Sequence, residues 1–206
     1  SWTELTIVGQ SNHAGTTPMD LRRDPAYAAA RITTAVRDLA TDLGGTQVGT
    51  VGKIDLHPNL VNVVPARATM TVDLRNTDEE TLQVAEKRLA EIVATVASDE
   101  GVEITARSLA RFEPVTFDPA VVDLVRSTAA RLGHSVMTMP SGAGHDAQML
   151  ARVCPAAMIF TPSHNGISHN PAEHTDPSDL EAGADVLLHT MLALASHPEP
   201  NPEAAS

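Results

Sequence analysis

The sequence predicts an α+β fold, a four-stranded βαββαβ domain followed by a partial α/β segment. Three observations lead there. Residues 3–10 alternate apolar and polar, and two long stretches repeat apolar residues at helical spacing. After about residue 113 the rhythm changes to alternating helix and short strand.

In chain order, Leu5 and Ile7 share one side of the first strand. Asp24-Pro25 is a helix entry, a capping carboxylate followed by proline at the first helical position. Residues 25–43 put Ala28, Ala29, Ile32, Ala35, Val36, Leu39 and Leu43 along one face, and Gly44-Gly45 stops the helix. Residues 46–57 and 67–75 read as two central strands, with Val48, Val51, Ile54, Met70, Val72 and Leu74 available for burial. Thr77 and Glu80 have capping-box spacing for a second helix, which turns Leu82, Ala85, Leu89, Ile92, Val93 and Val96 inward and ends before Gly101. Val102, Ile104 and Ala106 open a fourth strand. Two helices on one face of such a sheet make a compact sandwich. Beyond it the pattern predicts helix 119–132, strand 135–139, helix 144–152, strand 156–161 and helix 177–195. Two strands of a parallel sheet need more neighbours than this segment offers, so the second half reads as incomplete. The proline-rich tail from 197 to 206 reads as disordered.

Composition limits the possible partners. The net charge of −12 argues against nucleic acid and against an anionic membrane surface. No apolar run has the length of a membrane span. The opening SWTELTIVGQ lacks the basic start and apolar run of a signal peptide, so the expected compartment is the cytoplasm. With five aromatic residues the core must be aliphatic. The single cysteine, Cys154, sits in an apolar run before a proline and is expected to be buried and inert.

Four segments carry chemistry. The loop Pro162–His174 places His164, His169 and His174 five residues apart, with Glu173 beside them. Neutral imidazole suits zinc, manganese or nickel, and a carboxylate can orient or complete the shell. The spacing is not the i, i+4 pair that holds an ion from one helix, so further ligands must come from elsewhere. Ser11-Asn12-His13-Ala14-Gly15-Thr16-Thr17-Pro18-Met19 follows the first strand, where His13 either reaches a cleft or is simply hydrogen-bonded in the loop. Residues 57–65 form a link longer than a hairpin needs. It carries Asn62, and Arg75 ends the following strand. The arginine fork can take a carboxylate bidentately, or it can pair with Asp73 or Asp78. Ser141-Gly142-Ala143-Gly144-His145-Asp146 precedes a helix, where glycines allow close backbone approach and leave amide groups for an anion. A Ser141/His145/Asp146 triad is excluded by its spacing across a turn.

In this order, SNHAGTTPMDLRRDP, PNLVNVVP with VDLR, SGAGHDAQML and SHNGISHNPAEHT resemble the amidase/hydantoinase-carbamoylase family of metal-dependent amidohydrolases, part of the wider aminoacylase and dipeptidase clan. The resemblance runs from about residue 5 to residue 195. It implies that residues 1–112 are a lid that also dimerises and that residues 113–196 are the C-terminal portion of a catalytic domain. It implies His169 as a ligand of a dinuclear centre of two divalent ions (Zn, Mn or Ni) and His13 as donor to the oxyanion, reaching the partner subunit's site. Asn62 and Arg75 would hold the substrate carboxylate, while Gly142, Gly144 and His145 would line the pocket. Ala66 stands where the family has glycine. The family's remaining ligands (a His-x-Asp pair, a glutamate pair with the general base, a His-Ile-Glu-Gln segment) are not in this sequence, so the chain as given is expected to be inactive. The implied activity is cleavage of the carbamoyl or ureido C–N bond of N-carbamoyl-L-amino acids, N-carbamoyl-β-alanine or allantoate. The alternatives are a non-catalytic dimerisation module and a dipeptidase or aminoacylase of the same clan.

Overall fold

The computed structural model describes residues 1–196, and the tail expected to be disordered lies outside them. Two compact units divide the chain at Pro114/Val115.

In the first unit, β1 (Trp2–Val8), α1 (Pro25–Leu43), β3 (Val48–His57), β5 (Arg67–Arg75), α2 (Glu79–Glu100) and β6 (Glu103–Ala110) follow the expected βαββαβ order. Two short strands, β2 (Asn12–His13) and β4 (Val63–Val64), pair separately. The main sheet has the order β3-β5-β1-β6, with every neighbour antiparallel. The centre is therefore β5 and β1, and β3 is an edge strand rather than a central one.

Leu5 and Ile7 of β1 and Ala68, Met70, Val72 and Leu74 of β5 are almost wholly buried. They form one cluster with Ala28, Ile32, Val36 and Leu39 of α1 and Leu82, Ala85, Leu89 and Val96 of α2. The two-residue and 3.6-residue periods thus meet on a single face of the sheet. Gly49 marks where α1 crosses β3: a Cβ there would lie 3.1 Å from the Val36 carbonyl and 3.3 Å from Ala40 Cβ.

Three sequence expectations in this unit need correction. The register of β3 against β5 slips between Val51 and Lys53, so a bulge at Gly52 reverses which side chains face the helices. Val51 and Gly49 face inward before it, Ile54 and Leu56 after it, opposite Val72, Leu74, Met70 and Ala68. Val48 therefore points outward and is 53% exposed, and Ile54, on the helix side of an edge strand, is still 44% exposed. The α2 cap is Asp78, whose carboxylate accepts from Thr81 N–H at 2.8 Å. Thr77 instead pairs with Thr46 across the loops at 2.8 Å.

In the second unit, α3 (Pro119–Arg131) and α5 (Pro177–Ser196) pack together, burying Thr128, Ala129, Val186 and Thr190. Asp118 caps α3 by accepting from Val121 N–H at 2.9 Å. The expected helix 144–152 shrinks to α4 (Asp146–Leu150). The expected strands 135–139 and 156–161 are absent from the secondary structure. A strand exists only through its ladder, and no described segment supplies partners for either. Residues near 156 are fixed in other ways: Asp118 N–H donates to Ala156 carbonyl at 3.1 Å, and Thr161 packs so close to Gly183 of α5 that a Cβ there would meet it at 2.5 Å. Cys154 is exposed rather than buried, because its apolar run forms no strand. No helix among the described residues is long and apolar enough to cross a membrane.

Candidate functional site

The β2–β4 ribbon brings two predicted site residues together. His13 lies opposite Val63, and Ala14 N–H donates to the Asn62 carbonyl at 3.0 Å. Asn12 steadies the entry, its Oδ1 accepting from His13 N–H at 2.9 Å.

The His13 ring is fixed by its own turn. Gly15 N–H donates to Nδ1 at 3.0 Å. A backbone amide can only donate, so Nδ1 is the acceptor and the proton of the neutral ring sits on Nε2. Gly15 suits this arrangement because a Cβ there would come within 3.3 Å of the ring. The exposed edge of the imidazole is therefore an N–H donor, without a lone pair for a metal or a proton.

The same turn contains residues that sequence reasoning did not single out. The His13 carbonyl accepts from Thr17 N–H at 3.2 Å and from Thr17 Oγ1 at 2.7 Å. Arg22 donates from Nη2 to the Ala14 carbonyl at 2.6 Å and from Nε to the Thr17 carbonyl at 3.1 Å. The only available signal was an arginine shortly after a glycine- and proline-bearing loop, which does not say which carbonyls it will reach.

Arg75 is not beside them. It ends β5, whereas the ribbon lies beyond the Arg67 end, where Val8 pairs with Arg67. Eight steps of strand at about 3.3 Å put roughly 26 Å between the two ends. At its end Arg75 donates to Asp73 from Nε at 3.0 Å and from Nη2 at 2.7 Å, and its Cζ lies 5.7 Å from the Trp2 ring centroid. The hydrogen bond to Asp73 holds the guanidinium pKa above its ordinary value. The surface pairing with Asp73 is thus formed in this structure.

In the second unit His145 caps α4, its Nδ1 accepting from Ala147 N–H at 3.0 Å. By the same reasoning its ring also carries the proton on Nε2. A Cβ at Gly142 or Gly144 would meet nothing within 4 Å, so neither glycine is required by crowding. The histidine loop is closed by His164 N–H donating to the His174 carbonyl at 2.7 Å. His169 has φ 56, a left-handed conformation rare without glycine. Glu173 stabilises it by accepting from His169 N–H at 2.8 Å. His169 is exposed, and His164 and His174 meet edge to face at 6.4 Å.

Among the described residues no group of three or more His, Cys, Asp or Glu side chains gathers to hold a metal. His13 and His145 present donors rather than lone pairs at the ring nitrogen left open. The residues present do not by themselves fit a dinuclear centre.

The sequence matches the description "Peptidase family M20/M25/M40" over residues 17–193. It is 40% identical over 194 residues to the N-carbamoyl-L-amino acid amidohydrolase of Geobacillus stearothermophilus, covering 94% of this chain and 47% of that protein. It is likewise 40% identical over 191 residues to the allantoate amidohydrolase of Escherichia coli, covering 93% of this chain and 46% of the relative. A crystal structure of a hydantoinase/carbamoylase family amidase from Burkholderia vietnamiensis superposes with a TM-score of 0.93 at 42% identity, covering 96% of this chain and 48% of the other. The chain thus spans about half the length of the relatives it matches. The chain belongs to peptidase family M20/M25/M40, and the solved structures it resembles are hydantoinase/carbamoylase family amidases.

Proposed function

We propose that this chain is the lid (residues 1–112) and C-terminal catalytic portion (residues 113–196) of an amidohydrolase that cleaves the carbamoyl or ureido C–N bond of N-carbamoyl-L-amino acids, N-carbamoyl-β-alanine or allantoate. The observation that carries the reading is the β2–β4 ribbon, which offers His13 as an Nε2–H donor beside Asn62. A donor fixed before reaction stabilises negative charge developing on a carbonyl oxygen, the requirement of the tetrahedral intermediate in C–N hydrolysis. The names of two relatives, an N-carbamoyl-L-amino acid amidohydrolase and an allantoate amidohydrolase, point to the same bond.

Each residue then has a role. Asn62 and Arg75 hold the substrate carboxylate, Arg75 with its planar fork. In the second unit, Gly142, Gly144 and His145 contact the substrate, and His169 supplies one metal ligand. In the complete enzyme His169 would be one of the residues holding two divalent ions (zinc, manganese or nickel), and such ions would supply Lewis-acid activation of a water, with further ligands and a general base that these residues do not provide. The chain alone gives no turnover.

The separation of about 26 Å along β5 supports homodimerisation through the lid. No N-carbamoyl amino acid spans that distance, so Arg75 and the His13–Asn62 pair of one copy cannot serve the same molecule. One copy supplies Arg75, and the partner supplies His13 and Asn62. The test uses a hybrid in which this chain replaces the aligned 194 residues of the Geobacillus relative. The expected result is hydrolysis of N-carbamoyl amino acids with added manganese, and none by the isolated chain. A hybrid that cleaves dipeptides but no ureido compound overturns the reading.

A further inference from the structure

We infer that Arg22 is a positioning residue that sets the tautomer of His13. The inference rests on reading His13 as an Nε2–H donor in catalysis. Arg22 is half-buried and, among the described residues, pairs with no carboxylate. It spends its fork on two carbonyls, Ala14 at 2.6 Å and Thr17 at 3.1 Å. The Ala14 carbonyl and the Gly15 amide belong to one planar trans peptide, so they point in opposite directions. Fixing the carbonyl on Arg22 therefore aims the Gly15 N–H away from it, onto His13 Nδ1 at 3.0 Å. The second arm holds Thr17, whose N–H and hydroxyl both bind the His13 carbonyl. The guanidinium thus sets both faces of the turn that presents His13. A lysine, a single compact charge, cannot hold both carbonyls in one plane.

The experiment measures the imidazole nitrogen shifts of the 206-residue chain by NMR at about pH 8.5, where histidines are neutral. In the wild type His13 is expected with Nε2 protonated and Nδ1 as acceptor. Arg22→Gln is expected to move the His13 tautomer ratio toward Nδ1–H by roughly two- to tenfold, the worth of one lost hydrogen bond. Arg22→Lys moves it less. His145, held by Ala147 in the other unit, is the internal control and keeps its ratio. A His13 that is mainly Nδ1–H in the wild type, or a ratio unchanged in folded Arg22→Gln, overturns the inference. Loss of the fold in both variants also overturns it, because Arg22 is then a structural residue only. The readout does not depend on turnover: a hybrid inactive on ureido substrates leaves the tautomer result standing, and an active hybrid with an unmoved ratio removes only Arg22.

Discussion

Gly9→Ala is the sharpest test of how β1 hands the chain to the His13 loop. A Cβ at Gly9 would lie 2.2 Å from the Arg23 carbonyl oxygen, 2.8 Å from Pro25 Cδ and 2.9 Å from Pro25 Cγ. None of these can swing aside. Pro25 is a rigid ring buried at the first turn of α1, and the Arg23 carbonyl accepts from Gln10 N–H at 3.0 Å. The segment after Gly9 must therefore lift. Overpacking of this kind costs about 1–3 kcal/mol, and the Gln10 bond adds about 1 kcal/mol. The reduced entropy of the unfolded chain returns about 0.5 kcal/mol. The net loss is roughly 1.5–3.5 kcal/mol, which lowers the melting temperature of a unit of this size by about 6–14 °C. Thermal unfolding followed by circular dichroism measures it. A midpoint within about 2 °C of wild type, or above it, refutes the packing at this crossing.

Met70→Ala removes a side chain with no exposure at the centre of β5 and should cost about 2–5 kcal/mol, read as a lower urea midpoint at unchanged slope. Acid should loosen the start of α2. Hydrogen bonds from Thr81 hold the Asp78 carboxyl below its ordinary pKa, and hydrogen bonds from Arg111 and Gln83 do the same for Glu79. A lowered folded value means that this stability is fully present above the ordinary carboxylate range of about 4 and is lost as pH falls through the lower folded values. Urea midpoints measured downward from pH 5 should fall, and Asp78→Asn, which still caps but does not ionise, should flatten that fall.

The first unit was legible because its two periods are strong and its caps and stops sit where the chain turns. Asp24 before Pro25 and the glycines after Leu43 acted as the sequence suggested. What escaped was set by pairing rather than by pattern. The bulge at Gly52 depends on the ladder with β5, so Val48 looked inward. Asp78 took the cap from Thr77 because Thr46 competes for the threonine. Residues 135–139 and 156–161 have strand composition, but a strand requires a neighbour that composition cannot supply. Of the proposed site, His13 and Asn62 could be named from their segments. Their contact could not, nor could the distance to Arg75, because both follow from the direction in which β1 and β5 run.

In the proposed dimer one substrate is held by two copies of the chain. Mixed dimers of the hybrid enzyme test this most directly. His13→Ala and Arg75→Ala hybrids are each expected to be inactive. Unfolded together and refolded at equal amounts, they should recover about a quarter of wild-type activity. Random pairing makes half the dimers mixed, and each mixed dimer has one of its two sites intact. A mixture as inactive as its parents contradicts the account, because it places His13 and Arg75 of the same copy at one substrate.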